Sequence, residues 1–242
     1  MEDSILTRIT QRVATITINR EARRNSLDHV AMRALHQTLD DLSDEAVNVI
    51  VITGAGTASF CAGDDIKAYA ERTREESARH HERGLETFDK LENHPCLVIA
   101  AIEGFCLGGG LELALSCDYR ISSEGAQFGL PEVRKLGALP SWGGVTRLPK
   151  VIGLGRAKQM VLMGERVSAD QALAMGLIAQ CVPAGSALER ATELAQDYAA
   201  NVPREVIALA KRTLDQSYGA SSSVAHLTNL LMEKSQAFEG QT

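Results

Sequence analysis

The 242 residues make a chain about one and a half times the length of a typical domain, which fits one large domain with an appendage better than two equal domains. With 45% hydrophobic and 23% charged residues, the composition excludes a mainly disordered or collagen-like chain. Lys and Arg number 25 against 31 Asp and Glu, and the resulting net charge of -6 disfavours sequence-independent binding to nucleic-acid phosphates.

The longest apolar run, residues 96–102, is far short of the roughly 20 residues a membrane-crossing helix needs. Glu2 and Asp3 open the chain with no apolar stretch behind them, so neither a secretory nor a transit signal is expected. Five cysteines, odd in number and without a CxxC, argue against a disulfide framework and against a zinc site. A reducing, cytoplasmic compartment fits that usage.

In chain order, the alternation of Ile5, Thr7 and Ile9 and the β-branched run 13–18 predict a hairpin. Leu27, Val30, Ala31, Ala34, Leu35, Thr38, Leu39 and Leu42 then fall on one face of a helix, with Asn25 or Ser26 as its expected cap. Residues 47–52 form a short buried strand. The stretch 67–91 is polar, helical in character and expected to break at Gly84. A second buried strand, 96–102, leads through Gly104 to Gly108-Gly109-Gly110 and a helix over 111–117. Strands over 119–122 and 177–182 follow, then helices over 187–201, 203–216 and 222–238. Recurring strand-turn-helix units predict an α/β fold with parallel strands.

Two Gly-rich turns, one through Ala62-Gly63-Asp64-Asp65 and one through Gly108-Gly109-Gly110, each follow a strand and precede a helix. Free backbone N–H groups point outward in that geometry and favour negative charge, so a pair of such turns has the donors of an oxyanion hole. Either turn alone means no more than close packing of strand on helix. Glu112 and Glu132 both sit near helix starts, where a glutamate is ordinary; as a pair they have a use, one taking a proton from water and the other giving one to carbon.

Many ordered segments together resemble the crotonase superfamily, the enoyl-CoA hydratase/isomerase family. They include Asn19-Arg20 with Asn25-Ser26-Leu27, the block from Thr53-Gly54 to Lys67, Ala101-Ile102-Glu103-Gly104-Phe105 running on to Leu113-Ala114, Cys117-Asp118-Tyr119-Arg120, Phe128-Gly129-Leu130-Pro131-Glu132, and Gly143-Gly144 before Arg147-Leu148. The resemblance implies the crotonase (ClpP-like) spiral of repeated ββα units over residues 1–186, carrying an acyl-CoA site. It implies a helical trimerisation or lid region over 187–242, which in the family usually continues past Gly240. A homotrimer or dimer of trimers is implied, with coenzyme A entering only in the thioester substrate and with no metal or other cofactor. Neither nucleic acid nor membrane is an expected partner.

On that resemblance the backbone N–H groups of Asp64 and Gly109 form the oxyanion hole, and Glu112 and Glu132 are the acid/base pair of a hydratase, which adds water to a 2-enoyl-CoA. Isomerisation, dehydration, decarboxylation and thioester hydrolysis are the alternative reactions within the superfamily, and a non-catalytic CoA- or RNA-binding paralogue is the alternative of a different class. Lys67 matches a lysine near the CoA phosphates; Arg23, Arg24, Ala62, Asp65, Ile66 and Gly108 complete the expected binding surface. Two residues depart from the pattern. Asp64 stands where a small residue is common, with a side chain pointing either into the pocket or away from it, while Asp65 is expected to cap the next helix or to be solvated. Trp142, the single tryptophan, either reshapes the acyl pocket or fills core. His80 and His81 are expected to be solvated.

Overall fold

The computed structural model describes residues 3–217, so the helix expected over 222–238 lies outside the described residues. β1 (Ile5–Thr10) and β2 (Val13–Ile18) form the antiparallel hairpin read from their alternation. β2 then pairs in parallel with β3 (Val49–Gly54), β3 with β5 (Leu97–Ile102), β5 with β7 (Tyr119–Ser123) and β7 with β10 (Gln180–Val182), making a six-stranded sheet. A smaller sheet is built from β4 (Ser59–Cys61), β6 (Phe105–Leu107), β8 (Gln127–Gly129) and β9 (Arg166–Ser168).

The chain therefore repeats one step three times: a strand in the large sheet, a strand in the small one, then a helix. β3 and β4 lead to α2 (Ile66–Glu71) and α3 (Arg74–Glu92); β5 and β6 lead to α4 (Gly109–Leu115); β7 and β8 lead to α5 (Glu132–Leu136). Because β4, β6 and β8 are hydrogen-bonded neighbours in parallel, the turns at their ends emerge side by side. That register is what brings distant sequence segments to one place.

The central strands β3 and β5 of the large sheet are buried on both faces, hence the apolar runs 49–52 and 97–102. Ile50, Ile52, Val98, Ala100 and Ile102 face one core with Leu35, Leu39 and Phe88. Their alternates Val49, Val51, Ile99 and Ala101 face a second core, closed by Ala187, Ala191, Ala195 and Ala199 of α9 (Ala187–Asn201). The four-residue spacing of those alanines lets α9 lie close on the sheet. Glu103 accepts from the N–H groups of Gly185 and Ala187 and so caps this helix. Among the described residues no helix is long and apolar enough to cross a membrane.

Two sequence expectations are corrected. α1 (His29–Asp44) is capped by Asp28, whose carboxylate accepts from Val30 and Ala31 N–H, and not by Asn25 or Ser26. Asn25 is instead buried at φ 55°, its amide donating to Ala55 and Ser59 carbonyls to tie the preceding loop to β4.

Gly84, expected to interrupt its helix, lies inside an unbroken α3. A Cβ there would overlap the indole of Trp142, so the glycine is clearance for a ring and not a break. An alanine would normally favour the helix by about 1 kcal/mol. Here Gly84→Ala is expected to lower stability by about 1–3 kcal/mol through overpacking. Chemical denaturation should show the loss, and should show its sign reversed in a Trp142→Ala background.

Candidate active site

The first Gly-rich turn leaves β4 at Cys61 and enters α2; the second leaves β6 at Leu107 and enters α4. They touch. A Cβ on Gly63 would lie 2.9 Å from the Gly109 nitrogen and 3.0 Å from the Leu107 carbonyl, and one on Gly110 would overlap the Cys61 carbonyl. Positive φ values at Gly63 (94°) and Gly108 (56°) turn the backbone at both corners in a way side chains resist. The structure thus places the Asp64 and Gly109 amides in adjoining turns. Asp64 is held by a parallel bridge to Leu27, in which Leu27 N–H donates to Gly63 O and Asp65 N–H to Leu27 O. That bridging uses the Gly63 carbonyl and the Asp65 N–H and leaves the Asp64 N–H out of it.

Glu112 is one turn into α4 and only 2% exposed. Its Oε1 accepts from the N–H groups of Trp142 (2.8 Å) and Gly144 (2.7 Å). Burial pushes its carboxyl up to about 7; the amide hydrogen bonds oppose that shift and the Glu132 charge adds to it. Glu132 begins α5, the helix of the third repeat, and burial raises its pKa as well. A Cβ on Gly108 would meet its Oε1 at 2.7 Å, which sets that carboxyl against the second Gly-rich turn. Its Oε2 is buried with no hydrogen-bond partner among the described residues. A buried oxygen left without a partner is costly, and a ligand that supplies or takes a proton there would relieve that cost.

The loop carrying Trp142 is held by Arg147 of α6 (Gly144–Ile152), 4% exposed, whose Nη1 donates to Trp142 O at 2.8 Å while the guanidinium also pairs with Asp89 and Glu92 of α3. Arg120 is half-buried and donates to the Ala114 and Cys117 carbonyls at the C-terminal end of α4 and to Leu177 O, satisfying groups the helix end leaves open. Both arginines therefore act on the frame around Glu112.

Asp64 points neither to bulk water nor to a cap. Its carboxylate is bidentate with Arg72 (2.9 and 3.0 Å) and 3.1 Å from His80 Nε2. Burial alone would raise its pKa, but the His80 and Arg72 hydrogen bonds hold it below the usual value. Asp65 is the cap of α2, accepting from Lys67 and Ala68 N–H, and is also paired with Arg20 at 2.9 Å. The Trp142 indole is buried. It lies against Gly84 on one side and Gly109 on the other, edge-on to His80 (5.4 Å between centroids) and Phe88 (5.5 Å).

Ile66 and Lys67 are exposed on α2, Arg23 and Arg24 are exposed on the loop before α1, and Ala62 and Gly108 lie within the two turns. The Arg24 guanidinium sits 5.4 Å from the Phe105 ring centroid.

The expectation of a solvated His80 is overturned, because it is 5% exposed between Asp64 and Trp142; His81 is half-buried. A signal for His80 was present. His80, Gly84, Thr87, Phe88 and Leu91 share one helical face, and the structure buries all five. Arg72 carried no such signal, since its partner Asp64 belongs to a turn in front of the same helix.

The sequence model of the enoyl-CoA hydratase/isomerase family matches residues 8–239. The chain is 37% identical over 206 residues to the short-chain-enoyl-CoA hydratase of Clostridium acetobutylicum, covering 85% of this chain and 78% of that protein. It is 38% identical over 225 residues to the 2,3-dehydroadipyl-CoA hydratase of Escherichia coli, covering 93% and 85%. Among solved structures, an enoyl-CoA hydratase from Bacillus anthracis is similar at a TM-score of 0.88 and 38% identity, covering 98% and 90% of the two chains. DspI of Pseudomonas aeruginosa is similar at a TM-score of 0.90 and 33% identity, covering 99% and 97%. Likeness of this extent, in sequence and in the course of the spiral, is membership: the chain belongs to the enoyl-CoA hydratase/isomerase family, a crotonase-superfamily family of enzymes.

Proposed function

We propose that the protein is an enoyl-CoA hydratase, adding water reversibly to a 2-enoyl-CoA to give a 3-hydroxyacyl-CoA. The observation that carries the reading is the pair of glutamates, Glu112 buried and Glu132 half-buried with one buried carboxyl oxygen, both with raised pKa and set around the turn that bears the Gly109 amide. Two relatives named as hydratases, of short-chain enoyl-CoA and of 2,3-dehydroadipyl-CoA, support hydration over isomerisation.

In this reading the thioester oxygen accepts from the Asp64 and Gly109 N–H groups, which strengthen their hold as it becomes an enolate oxygen; each such donor is worth about 2.7–4 kcal/mol. Ionised Glu112, its Oε1 fixed by two amides, orients water with its other oxygen and takes one proton as the water oxygen bonds to C3. The C2=C3 electrons move toward the thioester. Protonated Glu132 then delivers its proton to C2, and proton exchange between the two carboxyls and solvent resets the pair. Lys67 on α2, with Arg23 and Arg24 on the loop before α1, all exposed, is assigned in this reading as the cationic surface for the CoA phosphates.

Adding the protein to crotonyl-CoA is expected to remove the conjugated enoyl-thioester ultraviolet absorbance, and Glu132→Gln is expected to prevent this. Tight CoA-ester binding without loss of absorbance in the wild-type chain would reject hydration and leave another reaction of the superfamily.

A further inference from the structure

The Asp64 carboxylate poses a problem that the family's acid/base chemistry does not answer. Covalent geometry keeps it within about 5 Å of its own amide nitrogen. That amide is one of the two donors proposed for the enolate oxygen, so a bare carboxylate would set negative charge beside negative charge where water is scarce. The structure surrounds it with compensating groups. Both terminal nitrogens of Arg72 bind its two oxygens, and His80 adds a third contact from α3. The Arg72 and His80 side chains are 8% and 2% exposed against 23% for Asp64, so both partners are packed in place around a carboxylate that keeps a limited opening to water.

The same cluster reaches the other donor. His80 meets the Trp142 ring edge-on, and the far side of that ring lies on Gly109. Arg72 in turn ends α2, its N–H donating to Tyr69 O, so its position follows from the helix that the first turn begins. One set of contacts thus spans both turns.

We propose that Arg72 and His80 are positioning residues of the oxyanion hole: by binding the Asp64 carboxylate they fix the Asp64 amide and neutralise the charge its side chain brings to the site. The proposal rests on the enolate chemistry of the hydratase reading, but its test does not require turnover. The carbonyl carbon of [1-¹³C]butyryl-CoA, a saturated ester, reports polarisation of the bound thioester directly through its chemical shift. It is measured beside kcat and KM for crotonyl-CoA in the wild type, Arg72→Met, Arg72→Lys, and the Arg72→Met/Asp64→Ala double variant, with thermal melts of each.

Arg72→Met, which strands the carboxylate, is expected to shrink the downfield carbonyl shift and to lower kcat about 10–100-fold with KM little changed. The double variant is expected to regain much of both, because no charge is left to neutralise; Arg72→Lys falls between. If Arg72→Met does not fold, Arg72→Lys against its own Asp64→Ala double carries the same comparison. A wild type that hydrates nothing, yet shows the shift and loses it in Arg72→Met, supports the brace and rejects the hydratase reading. The proposal is overturned by a wild-type shift and kcat in Arg72→Met, by a double variant as impaired as the single, or by the absence of any shift in the wild type.

Discussion

Glu112→Gln is expected to cut the hydration rate by roughly 10²–10⁴-fold while making the folded protein more stable at alkaline pH. Both effects have one cause. Burial raises the folded-state pKa of Glu112 to about 7, whereas an unfolded chain leaves it at the ordinary glutamate value of 4.5. A carboxyl raised in this direction binds its proton more tightly when folded, so the stability it contributes is complete below pH 4.5 and is lost as pH rises toward and through 7. The difference corresponds to about 3 kcal/mol at pH 8. Glutamine cannot ionise and keeps an oxygen to accept from Trp142 and Gly144 N–H, so it escapes that loss. Urea denaturation at pH 4 and pH 8 tests this: the variant should gain on the wild type between the two, and parallel curves would refute the buried-base account. The same titration sets the rising limb of the rate profile. Only ionised Glu112 can take a proton from water, so kcat/KM for hydration should rise through about pH 7.

The amino-acid sequence carries the parts of this structure that depend on local pattern. The hairpin of β1 and β2, the all-buried β3 and β5, and α9 follow from alternation, β-branched runs and four-residue spacing. The two Gly-rich turns are legible as turns, and Glu112 and Glu132 as residues at helix starts. Their convergence is not local, for it depends on β4, β6 and β8 lying side by side in parallel, and each of these strands is only three residues long. Three residues carry almost no periodicity. Family resemblance supplied what period could not. The same limit explains the error at Gly84, whereas the helical face shared with Thr87, Phe88 and Leu91 did mark His80 for burial. Whether a mid-helix glycine breaks a helix or admits a ring depends on what lies opposite, and Trp142 is 58 positions further along the chain. Asp28 displaced Asn25 and Ser26 as a cap because Asn25 had a competing task, the closure of a loop onto β4.

Replacing Gly110 by alanine should be more damaging than any other single-methyl change at the two turns. The added carbon would overlap the Cys61 carbonyl, main chain of the adjoining strand, which has no rotamer by which to move aside. α4 must then shift away from β4. Gly109 is the preceding residue of α4 and Asp64 lies three residues beyond Cys61, so the shift separates the two amides that the hydratase reading aims at one oxygen. Overpacking of this kind costs about 1–3 kcal/mol, more than the roughly 1 kcal/mol that alanine returns to a helix. A displacement near 1 Å is enough for about a 10²-fold loss of rate. Gly155 provides the opposite case. It lies exposed in α7 (Leu154–Met163), with open space where its Cβ would stand. Gly155→Ala should therefore stabilise the protein by up to about 1 kcal/mol and leave the rate alone. Thermal melts and kcat for the two variants should move in opposed directions for stability and diverge about a hundredfold in rate. Equal behaviour would mean that the spacing of the two turns is not set by the close approach of Gly110 to Cys61.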